Sequence, residues 1–171
     1  SHSSLSQALE GSDAIHNNQD GSFSAVSLIG LSNAPVKSLV ILARSWNNPP
    51  MPKINSAAYE FLGFRKEERA YIFKSAGREG REGRENREIN ENSEPLSILF
   101  PASQSAPLLN PCVLIQNWGE KSAVITLNGK EITSQESYRV GYRSTIEGTD
   151  LLLWFDLRTY EPVEMVIVKF D

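Results

Sequence analysis

"NPCVLIQNWGEKSAVITLNGKEIT", residues 110–133, decides the fold. Cys112 to Gln116 is a short apolar run, and Asn117 to Glu120 breaks it. A second apolar run follows and ends at Asn128-Gly129. A type I′ turn needs positive φ at both central positions, so Asn-Gly between alternating residues is the strongest short hairpin signal. Two strands and two turns within 24 residues set the rhythm for the rest of the chain.

Downstream, "SYRVGYRST" is a strand, "EGTD" a turn, "LLLWFDL" (151–157) a buried strand and "EPVEMVIVKFD" the last strand. Upstream, "PLSILFP" (95–101) is a strand, and "AAYEFLGF" and "RAYIFKS" are two more around the polar "RKEE". "FSAVSLIGL" (23–31) and "VKSLVILARSW" (36–46) read as strands around "SNAP", with Asn33 and Pro35 as turn punctuation. Both faces of the second are mostly apolar, which predicts a central strand. "NNPPMP" (47–52) ends it, because proline cannot donate to a ladder. About nine or ten strands, spaced roughly 8–12 residues apart, predict an all-β fold. The expected form is a two-sheet antiparallel β-sandwich, Ig-like or jelly-roll-like. Residues 21–171 form one domain behind a polar leader, 1–20, expected to be partly disordered.

Composition narrows the function. The 171 residues carry a net charge of −4 with a pI near 5.3. A general nucleic-acid binder needs surplus cations to displace counterions, so nucleic acid is not an expected partner. No apolar run approaches the roughly 20 residues of a membrane helix. The start is polar and lacks Met, and reads as trimmed or as the cut end of a longer chain. Cys112 is the only cysteine, so it forms no internal disulfide, and it reads as a small buried hydrophobe. His2 and His16 both lie in the leader, which leaves Ser-His-Asp, Cys-His and His-based zinc chemistry without a histidine in the folded part. No metal or cofactor is implied.

"GREGREGRENRE", residues 77–88, invites a functional reading and does not sustain it. Its four Arg and four Glu neutralise one another. Its three glycines each cost a helix about 1 kcal/mol against Ala. A charged loop over 77–94 is expected.

The candidate contact residues are aromatic and basic. Trp154 falls inside "LLLWFDL" and reads as core. Trp46 precedes Asn47-Asn48, and Trp118 follows Gln116-Asn117. An indole face flanked by amides suits sugar recognition, where the pyranose stacks and the amides bond its hydroxyls. The competing reading makes each Trp a cap on the end of the core. In "YRVGYR" (138–143), alternation puts Tyr138, Val140 and Tyr142 on one face and Arg139, Gly141 and Arg143 on the other. Two arginines about 13 Å apart along a strand would suit an acidic polysaccharide, or they would simply be solvated. A Tyr beside an Arg could also remove the α-proton of a uronate while the cation neutralises its carboxylate. That lyase alternative, with Tyr138 or Tyr142 and Arg139 or Arg143, requires a bulge to bring the two faces together.

The segments "LLNPCVLIQNWGEKSAVITLNGKEI" and "YRVGYRSTIEGTDLLLWFDL", with "SWNNPPMP" and "RAYIF" upstream, resemble accessory β-sandwich domains of secreted bacterial polysaccharide-degrading proteins. The resemblance spans about residues 36–170 and transfers no catalytic residue. It implies a carbohydrate-related, extracytoplasmic or secreted setting. The expectation is a non-catalytic module that binds or positions a polysaccharide or oligosaccharide, within a larger enzyme or surface assembly. Trp46, Trp118, Asn117, Arg139 and Arg143 would make the contacts. The alternatives are a polysaccharide lyase acting on uronate-containing glycans and a structural, protein-interaction sandwich pairing with a neighbouring domain.

Overall fold

The computed structural model describes residues 15–17, 23–25, 34–75, 94–133 and 137–170. Ten of its strands form two five-stranded sheets. In order across the first sheet these are β10 (Lys130–Glu131), β9 (Ser122–Leu127), β14 (Val163–Phe170), β6 (Leu96–Phe100) and β3 (Lys53–Ile54). Across the second they are β11 (Tyr138–Thr145), β12 (Gly148–Phe155), β8 (Cys112–Gln116), β5 (Ala70–Ser75) and β4 (Tyr59–Arg65). Two short pairs complete the set: β1 (Ile15–Asn17) with β2 (Phe23–Ala25), and β7 (Leu108–Leu109) with β13 (Arg158–Thr159).

The fold is all-β and sandwich-like, and the described strands close no barrel. Every strand pair is antiparallel except β5 and β8, which run parallel. Strict alternation supplies the core. Tyr71 and Phe73 of β5, Val113 and Ile115 of β8, and Leu151, Leu153 and Phe155 of β12 face Leu96, Ile98 and Phe100 of β6. Met165 and Ile167 of β14 and Ile125 of β9 close the same cluster. The outer positions of the second sheet are also apolar in the middle: Ala70, Ile72 and Leu114, with Cys112 and Leu152 against them, form a smaller buried cluster. The sequence hairpin at Asn128-Gly129 is present, with φ of 48° and 76°.

One sequence expectation is corrected. Residues 36–46 do not form a central strand; Val36–Asn47 is an α-helix, α1. Its β-branched Val36, Val40 and Ile41 favour a strand locally, but the run is 12 residues long, beyond ordinary strand length. Pro35 sits at the N-cap, where its fixed φ suits a helix start. The Asn48 N–H bonds the Arg44 carbonyl at the other end, and Pro49 cannot extend the helix. The Pro35 read as turn punctuation is therefore a helix entry. Of "FSAVSLIGL", residues 23–25 are strand β2, and 26–31 lie outside the described residues. So do 77–93 of the charged loop and all of the leader except β1.

Candidate functional site

At one end of the sandwich, the β4–β5 turn, α1 and the segment entering β8 surround a cavity of about 380 Å³. Such a volume lies at the lower end of the range for small-ligand sites. From α1 come Leu42, Ser45 and Trp46; from the turn come Glu68 and Arg69; Tyr71 and Leu108 reach it from the core. Asn110, Cys112 and Trp154, which is partly exposed rather than in the core as its sequence suggested, supply the remaining wall that bears on chemistry. Two hydrogen bonds pin the helix end that carries Trp46: Arg44 Nη1 donates to the Gln104 carbonyl at 3.2 Å, and Asn48 Nδ2 donates to the Ser105 carbonyl at 3.1 Å.

Trp46 is partly exposed, and the Arg69 guanidinium lies 4.5 Å from its ring centroid. Asn110 takes a φ of 45°, and its N–H donates to the Leu157 carbonyl at 2.7 Å. Its Oδ1 is buried and has no hydrogen-bond partner among the described residues. A buried acceptor left unmet costs about 1–3 kcal/mol. The half-buried Cys112 thiol is pushed up from its ordinary pKa, first by burial and then by Glu68, with Arg69 opposing. It is a half-buried pocket wall that also packs against the Ala70, Ile72 and Leu114 cluster, where a small buried hydrophobe was expected. Burial drives the Tyr71 phenol well above its ordinary value, so it stays protonated.

The other expected contact residues are scattered. Trp118 is 2 % exposed. Its Nε1 donates to the Lys121 carbonyl at 2.8 Å, Tyr59 stacks at 6.4 Å between centroids, and Lys169 Nζ lies 4.9 Å over the ring. Its face is therefore taken, and it caps the core. Trp46 and Trp118 do not converge: β8 runs from Cys112 at the cavity to the Trp118 loop, roughly 20 Å at 3.3 Å per residue. Asn117 is a turn residue with φ of 56°, whose N–H donates to Asp150 Oδ1 at 3.2 Å. Arg143 bonds the buried Asp150 carboxylate through Nη2 at 2.9 Å and Nε at 3.3 Å. Only Arg139 comes near the cavity: its guanidinium lies 5.3 Å from the centroid of Trp154, a cavity wall.

β11 pairs with β12 without interruption from Tyr138 to Thr145, so no bulge joins its two faces. Tyr138 stacks toward Phe155 at 6.3 Å on the core side, and the Tyr142 hydroxyl donates to the Lys121 carbonyl at 3.1 Å. Arg139 and Arg143 stay on the opposite face, so the Tyr–Arg pairing that elimination needs is not formed. No group of three or more His, Cys, Asp or Glu among the described residues is placed to hold a metal ion.

The sequence missed Arg69 and Asn110. Both have positive φ outside glycine, a rarity in a strand-rich chain, and Asn110 precedes a proline in "LLNPC". Comparison with protein-family models, with curated proteins and with solved structures returned no match.

Proposed function

We propose that the chain is a non-catalytic β-sandwich module that binds or positions a polysaccharide, within a larger secreted or surface assembly, and that the cavity beside α1 is its site. One observation carries the proposal: the partly exposed Trp46 indole lines a concavity whose wall includes Asn110, a residue whose buried amide oxygen is unmet among the described residues. An apolar ring face beside a buried acceptor fits the two sides of a pyranose, its C–H face and its hydroxyl donors. The sequence resemblance to accessory sandwich domains points the same way. Contacts of this extent, less the ordering cost, suit an affinity of tens to hundreds of micromolar, on the order of −5 to −6 kcal/mol.

Native affinity electrophoresis against neutral and acidic polysaccharides tests it, with ultraviolet absorbance recording unsaturated uronate. Retention without absorbance, lost in Trp46→Ala, is the expected result. Rising absorbance would make the chain a lyase. Absence of both would leave a protein-interaction sandwich. That second reading has its own support: Val140 and Tyr142 are exposed on β11, an eight-residue strand at the sheet edge among the described residues, and Ile146 is exposed in the turn that follows it.

A further inference from the structure

Two tryptophans line the cavity, and each carries a guanidinium. Arg69 covers Trp46 at 4.5 Å, and Arg139 covers Trp154 at 5.3 Å. Neither arginine has a carboxylate partner among the described residues, whereas Arg65 is bonded to Glu68 at 3.3 Å and Arg143 to Asp150 at 2.9 Å. Stacking on an indole occupies the flat face of a guanidinium and leaves its in-plane N–H donors directed outward. Those donors form the fork that matches a carboxylate or a sulfate. Glu68 shares the rim, but its ion pair with Arg65 balances its charge locally. The rim is thus cationic on a chain whose net charge is −4. Long-range attraction cannot draw a polyanion to such a protein, so any retention must come from a local site.

Register places the two arginines. Arg139 lies opposite Trp154, Trp154 opposite Cys112 and Cys112 opposite Ala70, the neighbour of Arg69. Three strand spacings separate the backbone of Arg139 from that of Ala70, roughly 14 Å. Arginines set on strands this far apart, each resting on its own indole, suit a chain with anionic groups on separate units.

We infer that the ligand is an acidic glycan, held by its carboxylate or sulfate groups on Arg69 and Arg139 while one of its rings packs against Trp46. This inference rests on the polysaccharide reading above. Its test uses the whole chain in affinity electrophoresis against polygalacturonate, dextran sulfate and neutral dextran, with melting curves recorded for each variant. Stronger retention on an acidic polymer than on dextran is expected, and the preferred acidic polymer identifies the anionic group. Arg69→Gln and Arg139→Gln should each weaken that retention by about tenfold while melting normally, since both side chains are exposed. Arg69→Lys should not restore it, because an ammonium lacks the fork. Equal retention on dextran, unchanged in both glutamine variants and abolished by Trp46→Ala, would overturn the inference and leave the polysaccharide reading standing. No retention on any of the three, nor on other neutral polymers, would remove both.

Discussion

The two ends of β8 hold the same ingredients and come to opposite outcomes. Each has a tryptophan beside amide side chains, and each indole has a cation over it: Arg69 on Trp46 and Lys169 on Trp118. At the Trp118 end the ring is buried, its Nε1 is bonded and Tyr59 stacks on it. At the Cys112 end the indole stays partly exposed beside an unmet amide oxygen. The difference lies in the backbone. Alternation along β8 points Val113 and Ile115 into the core, and continuing it would point position 118 outward. Asn117, with φ of 56°, breaks that phase and turns Trp118 inward. Trp46 sits on a helix whose end is tied to the loop at 104–105, and its ring stays partly exposed there. A tryptophan near a strand end therefore says little until the chain reversal beside it is known.

The largest expected effect separates the two rings directly. Trp118→Ala should cost about 3–5 kcal/mol in denaturant unfolding, as for other large aromatic truncations in cores. Trp46→Ala should cost about 1 kcal/mol, the scale of an exposed cation–π contact and some apolar cover. Equal losses would mean that both ends are core and would dissolve the contrast.

Next is Asp150, the buried anchor of the Trp118 end. It is 3 % exposed and accepts from the Asn117 N–H and from Arg143. Asp150→Asn keeps the shape but removes the charge that both donors address. A loss of about 2 kcal/mol is expected, in the range of hydrogen bonds to charged groups. If that end is held by packing alone, the variant will unfold at the wild-type denaturant midpoint.

A smaller effect belongs to Gly148, which begins β12 in the same region. Its φ is 144°, where side chains are disfavoured, and a Cβ there would stand 3.4 Å from Asn117 Oδ1. Gly148→Ala should therefore cost about 1–2 kcal/mol, a typical strain for such backbone. Combined with Asp150→Asn, the loss should be less than additive, since both act on Asn117.

These elements also show what the sequence disclosed. The longer strands of both sheets were legible because alternation and turn residues agree, as at Asn128-Gly129, where chemistry demands the backbone that forms, whereas the two-residue β3 after "NNPPMP" was not. The helix at Val36–Asn47 was not, because β-branched residues satisfy both periods, and only length and the flanking prolines decide between them. The parallel pairing of β5 with β8 was hidden too, since direction depends on the connections and not on either strand's pattern. Of the site, Trp46 and Arg139 were legible from residue type. Arg69 and Asn110 were not, because their roles come from turns that place them against other elements.

The last and gentlest probe uses Cys112, which faces the cavity at its end of β8. Burial and Glu68 raise its thiol pKa, so less thiolate exists near neutrality than for a free cysteine. Reaction with a small disulfide reagent at pH 8 should be several-fold slower than that of free cysteine, and should keep accelerating above pH 9. Asp150→Asn should leave that rate unchanged, because it loosens the opposite end. A bound glycan should slow the reaction further, because ligand and reagent would compete for the same wall. If Asp150→Asn instead accelerates the reaction, the two ends open together and are not separate units.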